Sequence, residues 1–127
     1  MHQFSRHFTL EEARALLPKL RELFAAIHKN KAEVEHGSAG LGESLEATGG
    51  DLGGREVTRL LRSMTDLRDG MLAITRLGIQ IKDIDRGLID FPSLRNGQEV
   101  FLCWELDEDD IEFWHDLEAG YAGRERL

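Results

Sequence analysis

The residues best suited to chemistry lie in the last quarter of the chain. Residues 100–124 contain both tryptophans, the only cysteine and the only tyrosine. A histidine with carboxylates in reach is the usual material for acid–base catalysis or metal ligation. His115, together with Asp90 and with Glu105 or Glu108, could supply one nitrogen and two or three oxygen ligands to a divalent metal ion. This requires that the strands carrying them are neighbours.

Each of these assignments has a structural alternative. No H-E-x-x-H or paired C-x-x-C signature occurs in the sequence, and we favour a structural His115 that bonds Asp116 or a backbone carbonyl. Cys103 could be a nucleophile with His115 as its base, but a free cysteine on a strand usually behaves as a small hydrophobic residue. The candidate catalytic residues are His115, Asp90 and Cys103.

Aromatic and basic residues near this histidine suggest a binding site. Trp104 and Trp114 flank the acidic run at residues 107–110, and they could border a pocket or, as we favour, fill the core. The segment that contains Tyr121 and Arg124 could present backbone amides and a guanidinium to a carboxylate or phosphate. Because 24 acidic residues face 16 basic ones, we favour an ion pair for Arg124. The candidate ligand- or anion-binding residues are Trp104, Trp114, Tyr121 and Arg124.

Two long helices are predicted ahead of this region. Thr9 and Glu12 form a capping box, and apolar residues at helical spacing predict helix one over residues 9–35. Pro18 removes a backbone donor within this pattern, so we expect a kink or a break. A second apolar stripe predicts helix two over residues 55–77. Each helix would be roughly 35 Å long, and the pair would form an antiparallel hairpin.

The glycine-rich residues 36–54 are predicted to be a flexible connector between the helices. They lack the G-x-x-x-x-G-K-[ST] pattern of a phosphate-binding loop. The hairpin has few residues of its own to cover both apolar stripes. It therefore needs a sheet or a second subunit against it.

Alternating apolar and polar residues predict β structure over residues 79–116. The predicted strands cover residues 79–84, 88–91, 98–106 and, as a fourth short strand, 111–116. Asn96 and Gly97 are typical of a two-residue hairpin, and Pro92 ends the second strand or lies at a sheet edge. Apolar residues on both faces of the third strand predict a central strand, covered by the helices on one side and by something else on the other. Residues 117–127 form a tail.

Composition restricts the class of protein. A chain of 127 residues with 41% hydrophobic and 31% charged residues fits one globular domain, residues 1–127, of the α+β class. Its sheet would have three or four antiparallel strands. The net charge of -8 makes nucleic acid an unlikely partner, and no apolar run approaches the roughly 20 residues of a membrane span. A single cysteine and a start without an apolar core predict a cytoplasmic protein.

Four stretches of the sequence resemble a known family. FTLEEA, LGIQIKDIDRGLIDFP, EVFLCWEL and FWHDLEAGYAGR, taken in this order, are similar to DUF2203, a family of small, mostly bacterial proteins. The resemblance implies helices paired with a small C-terminal β region, and it names no substrate. Where the family shows a Gly-Glu pair after the Cys-Trp strand, this chain has Asp107 and Glu108, a difference that bears on the turn.

Two classes of function follow. The first is an interaction or scaffold module that forms a homodimer through its helical hairpin, in the manner of a coiled coil, or binds a protein partner along the helices. The second is a small-molecule or metal-binding protein, including a hydrolytic enzyme, with its site around Asp90, His115 and Arg124. The sequence leaves the substrate and the identity of any metal open.

Overall fold

The computed structural model of the chain describes residues 2–48 and 54–127. Helices α1 (Leu10–Thr48) and α2 (Gly54–Thr75) pack against each other and precede a five-stranded sheet. The strands are antiparallel neighbours in chain order: β1 (Gln80–Asp83), β2 (Leu88–Arg95), β3 (Gln98–Trp104), β4 (Phe113–Asp116) and β5 (Glu125–Arg126). The predicted α+β class is confirmed, and the sheet has five strands where three or four were predicted.

The start of α1 is fixed by the predicted capping box. The Thr9 N–H donates to Glu12 Oε1 at 2.9 Å, and the Glu12 N–H donates to Thr9 Oγ1 at 3.1 Å. The helix then continues through Pro18, so a break at that residue is wrong. Pro18 and Arg14 are both exposed, and the Arg14 carbonyl that loses its helical donor therefore lies where solvent can bond it.

The flexible connector predicted for residues 36–54 is wrong for residues 36–48, which form the last part of α1. Tertiary packing explains the difference. A Cβ on Gly37 would lie 3.2 Å from Leu60 Cδ1 of α2, so the missing side chain lets the helices approach closely, which offsets the low helix propensity of glycine. Nearby, Ser63 Oγ donates to Glu33 Oε2 at 3.0 Å. Residues 49–53 of the predicted connector lie outside the described residues.

The hairpin of β2 and β3 is confirmed in detail. Asn96 and Gly97 have φ of 53° and 79°, as a two-residue turn with positive φ at both positions requires. Strand β2 passes through Pro92, whose carbonyl accepts the Phe8 N–H at 2.7 Å. The pairing of β1 with β2 does not reach Pro92. Pro92 therefore lies at a local sheet edge, as predicted, where its missing donor disrupts no ladder.

The tail predicted for residues 117–127 also contains regular structure. It forms a 3₁₀ turn, Tyr121–Gly123, and the short strand β5, which pairs with β4. Two residues of a strand carry too short a pattern to be recognised in sequence, and the pairing with β4 decides their conformation. No helix within residues 2–48 and 54–127 is both long enough and apolar enough to cross a membrane.

The sheet has one face against the helices and one against the chain ends. Its inner face packs with α1 and α2 in one core. The inner-face members of this core are Ile89, Phe91, Leu102 and Trp104. On the outer face, the ring centroids of Phe4 and Phe101 lie 5.4 Å apart, and residues near Tyr121 cover the far end. Strand β3 is therefore buried on both faces, as its sequence predicts.

Candidate functional site

Asp90, Cys103 and His115 meet on the outer face of the sheet, each on a different strand. Asp90 on β2 is the direct cross-strand partner of Cys103 on β3. His115 on β4 is opposite Phe101, two residues from Cys103 and so on the same face. One donor atom from each of the three side chains lies within 4.8 Å of the other two. All three residues are at most 2% exposed.

Both ring nitrogens of His115 have partners. Nδ1 lies 2.7 Å from the Asp116 carbonyl oxygen, which can only accept, so Nδ1 carries a hydrogen and donates it. Nε2 lies 3.0 Å from Asp90 Oδ1. Because a hydrogen bond requires a proton, one of these two atoms carries it. His115 is thus both the structural histidine that we favoured, bonded to a carbonyl, and a neighbour of the predicted Asp90.

The same geometry disfavours Cys103 as a nucleophile. Burial raises the pKa of the Cys103 thiol to about 12, the charge of Asp90 adds to this rise, and Arg124 opposes it. The thiol is therefore protonated at neutral pH. Because the two nitrogens of His115 face Asp116 and Asp90, neither is placed to take the thiol proton, as a Cys–His pair requires.

Arg124 forms the ion pair that its sequence context predicts. Its Nη1 donates to both carboxylate oxygens of Glu108, at 3.0 and 3.1 Å, and lies 4.0 Å from Cys103 Sγ. The guanidinium carbon is 4.1 Å from the ring centroids of both Phe113 and Tyr121. Only 12% of the Arg124 side chain is exposed, so charge-assisted bonds and aromatic contacts hold it against the site.

Glu105 and Glu108, predicted as metal ligands, are not part of the group formed by the three donors. Glu105 Oε1 accepts from Arg86 Nε at 2.7 Å, and this bond lowers the pKa of the Glu105 carboxyl. Glu108 pairs with Arg124 and also accepts the Glu105 N–H at 2.8 Å. The candidate donor set is therefore Asp90, His115 and Cys103, with a thiol where the prediction had carboxylates.

The two tryptophans point away from these donors. Trp104 is fully buried in the core on the inner face, and its Nε1–H donates to the Glu108 carbonyl at 3.0 Å. Trp114, opposite Leu102, packs against the same core, and the Arg95 guanidinium lies 4.5 Å from its ring centroid. Both residues have the core role that we favoured.

A cavity of about 270 Å³ lies over the three donors. Its lining adds apolar and charged side chains to the donors: Lys82, Leu88, Phe101, Leu117, Glu118 and Tyr121. Tyr121, a predicted ligand- or anion-binding residue, is among the residues that border the cavity. The volume is just below the range typical of drug-sized ligands, so the cavity suits a small molecule.

A second cluster of donor atoms joins His2, His7 and Glu99, which the sequence analysis did not find. Glu99 accepts the N–H groups of Gln3 and Phe4, at 2.6 and 2.9 Å, and lies 2.8 Å from His7 Nε2. Burial acts to raise the pKa of the Glu99 carboxyl, but these hydrogen bonds lower it to about 2. Glu99 holds the first residues on the sheet, a contact across more than 90 residues that no local pattern reveals.

Comparison with known protein families identifies the family of this chain. It belongs to the family DUF2203, described as an uncharacterized conserved protein, whose model matches residues 6–127. No match was found among curated proteins or among solved structures. The predicted resemblance is confirmed, and it covers every residue of the candidate site.

Proposed function

We propose that this member of the DUF2203 family binds a divalent transition metal ion through Asp90, Cys103 and His115. The observation that carries the proposal is the convergence of a sulfur, a nitrogen and an oxygen donor within 4.8 Å of one another on three adjacent strands. This mixed donor set suits zinc better than magnesium or calcium, which prefer oxygen ligands.

The environment of the donors supports binding. The Nδ1–H of His115 is fixed on the Asp116 carbonyl, which leaves Nε2 as the ligand and is the usual outer-shell arrangement of a metal-bound histidine. Binding would displace the proton between Nε2 and Asp90 and the thiol proton of Cys103. The two anionic ligands then balance the charge of a divalent ion. Arg124 Nη1, 4.0 Å from Cys103 Sγ, faces the resulting thiolate.

The number of protein ligands favours a site that binds water or a substrate at the metal over a purely structural metal site. Structural zinc sites usually have four protein ligands, whereas catalytic sites have three and keep one position for water or substrate. Three donors beside a cavity of about 270 Å³ fit the second kind. The proposal therefore includes binding of a small molecule at the metal, and hydrolysis by metal-bound water is the reaction class that such a site supports.

Metal content and cobalt(II) spectroscopy test the proposal. We expect one zinc ion per chain in protein purified without chelator, and a cobalt–thiolate charge-transfer band after replacement by cobalt. Cys103→Ser should abolish that band while keeping side-chain volume. His115→Gln should weaken zinc affinity more than the about 10- to 100-fold cost of losing an outer partner.

His7→Gln is the matched control, because His7 belongs to the other donor cluster. It should leave the stoichiometry and the spectrum unchanged. Protein that folds, as judged by circular dichroism, but takes up no zinc or cobalt would contradict the proposal. Loss of metal in His7→Gln alone would place the metal at the N-terminal cluster instead.

A second candidate function is self-association through the helices, favoured by an exposed apolar pair on α2. Leu61 is 56% and Met64 is 47% exposed, and both precede Leu67, where the core residues of α2 begin. A groove of about 860 Å³ lies between the helices and is lined in part by their neighbours Leu60 and Ser63. The net charge of -8 favours a second copy of the chain or another protein over nucleic acid as the partner. Native mass measured on dilution tests this function.

We also propose a cytoplasmic location. The single cysteine, Cys103, is a buried free thiol, which fits a reducing compartment. Fractionation of cells that express the protein is the test, and recovery in an extracellular fraction would contradict it.

A further inference from the structure

One short segment forms one wall of the cavity. Residues 117–124, the covering segment, follow β4, and Leu117, Glu118, Gly120 and Tyr121 line the cavity over the three donors. The donors themselves lie on strands β2, β3 and β4, which are held by ladder hydrogen bonds. Because all three are at most 2% exposed, a displacement of this wall would widen access to them. The covering segment can move without breaking the pairs among these three strands.

The covering segment is held mainly by the side chains of Tyr121 and Arg124. Residues 118–123 are all exposed, and the Tyr121 ring centroid lies 4.3 Å from the Arg86 guanidinium. Gly120 has φ of 65° and ψ of -168°, a combination that is essentially restricted to glycine. The segment therefore has a defined conformation without an apolar core to stabilise it, which is typical of elements that open locally.

Arg124 attaches this segment to the sheet beside Cys103. It bonds both oxygens of Glu108, contacts the rings of Phe113 and Tyr121, and lies against Cys103 Sγ. By contrast, Arg126 pairs with Glu112 at 3.7 Å through side chains that are 73% and 53% exposed. An exposed pair of this kind contributes little, whereas a largely buried pair, here with one nitrogen bonded to both carboxylate oxygens, holds its elements in place.

We propose that residues 117–124 open to admit the metal ion or its ligand, and that the pair Arg124–Glu108 is the latch that holds them closed. The identity of what enters rests on the proposed function, but the opening itself does not. Arg124 is a positioning residue in this scheme, since it acts on access and leaves the donor set to Asp90, Cys103 and His115.

The only cysteine provides a direct probe of opening. Cys103 is 1% exposed beneath the covering segment, so its reaction with an aromatic disulfide reagent reports how often the segment opens. In metal-free protein at neutral pH, we expect Arg124→Gln to react about 10- to 100-fold faster than the native chain, as loss of a charge-assisted pair implies. Arg126→Gln, the matched control, should react at the native rate.

Glu108→Gln separates a latch from a change in the surroundings of the thiol, because it breaks the ion pair and keeps the Arg124 guanidinium. An unchanged or slower reaction in Glu108→Gln would overturn the proposal. Urea unfolding and amide exchange of β3 identify global unfolding, and a faster reaction that tracks β3 exchange would also overturn it. Glu108→Gln, which removes the other partner, should reproduce the faster reaction.

The same assay separates this inference from the metal site. Bound zinc should protect Cys103 from the reagent in the native chain. If added zinc gives no protection while Arg124→Gln still accelerates the reaction, the metal proposal fails and the latch stands. If zinc protects and Glu108→Gln reacts at the native rate, the metal site stands and the latch fails.

Discussion

At the scale of single residues, the turn between β1 and β2 shows how tightly the residues near the candidate site are packed. Gly87 has φ of 62°, and a Cβ there would lie 2.6 Å from Leu106 Cβ. The preceding Arg86 donates to Glu105 and places its guanidinium 4.3 Å from the Tyr121 ring centroid. The turn therefore holds Arg86 where it supports the residue that borders the cavity.

Gly87→Ala should be among the most destabilising alanine substitutions in the sheet. A left-handed conformation costs a non-glycine residue about 1–2 kcal/mol, and overpacking adds about 1–3 kcal/mol. We expect the free energy of unfolding in urea to fall by about 2–5 kcal/mol. Gly97→Ala is the control, since Gly97 also has positive φ, 79°, but its Cβ would meet no atom within 4 Å. Equal losses in the two variants would show that the contact with Leu106 is relaxed without cost.

At the scale of elements, the N-terminal segment, residues 2–8, stabilises the sheet at the edge that β1 leaves free. The Phe8 N–H donates to the Pro92 carbonyl, and Ser93 Oγ donates to the Phe8 carbonyl at 2.6 Å. Glu99 then binds the other end of the segment through Gln3, Phe4 and His7. The segment thereby connects the helical core on the inner face to Phe101 on the outer face.

Acid should release this segment. The folded-state pKa of Glu99, about 2, lies below its ordinary value of 4.5, so the carboxylate contributes stability that is present above about 4.5 and lost as the pH falls toward 2. We expect the protection of the Gln3 and Phe4 amides, measured as the exchange rate relative to an unstructured chain at the same pH, to fall over this range. Glu99→Gln should remove this pH dependence of the protection at these two amides, while amides in α2 keep their protection. Persistent pH dependence in the variant would assign the effect to other carboxylates.

At the scale of the whole molecule, the core occupies only part of the helical hairpin. Helix α1 has 39 residues, about 58 Å at 1.5 Å per residue. Its core residues end at Ile27, and those of α2 within the same core begin only near Leu67. The rest of the hairpin, the helical arm of residues 29–48 and 54–66, relies on contacts between two helices. A pair of helices buries little apolar surface, so an additional partner would stabilise it.

Self-association through the helical arm should therefore depend on Leu61 and Met64. A double change, Leu61→Glu and Met64→Glu, places two like charges in a contact that repeats across a two-fold axis. We expect the native mass at micromolar concentration to fall from dimer to monomer. Ala25→Glu with Ala26→Glu adds the same two charges at exposed positions of α1 outside the helical arm, and this control should leave the mass unchanged. A native chain that is already monomeric at high concentration would contradict this candidate function.

The sequence by itself determined the elements whose signals are local. The capping box at Thr9, the two apolar stripes, the Asn96–Gly97 hairpin and the two-sided burial of β3 depend on residues close together in the chain, and all were predicted. The proximity of Asp90 and His115 could also be predicted, because side-chain alternation places them on one face once β2, β3 and β4 are neighbours.

Tertiary structure alone decided the features that depend on distant residues. The strand register places Cys103 opposite Asp90. The predicted ligands Glu105 and Glu108 pair instead with Arg86 and Arg124. Contact with α2 kept residues 36–48 helical despite their glycines. Glu99 binds the N-terminal segment, although the two are more than 90 residues apart in the chain. No periodic pattern of residues extends over such a separation. In each case, contacts between elements supply the free energy that decides the conformation. A local sequence pattern reflects only the conformation that each element prefers by itself.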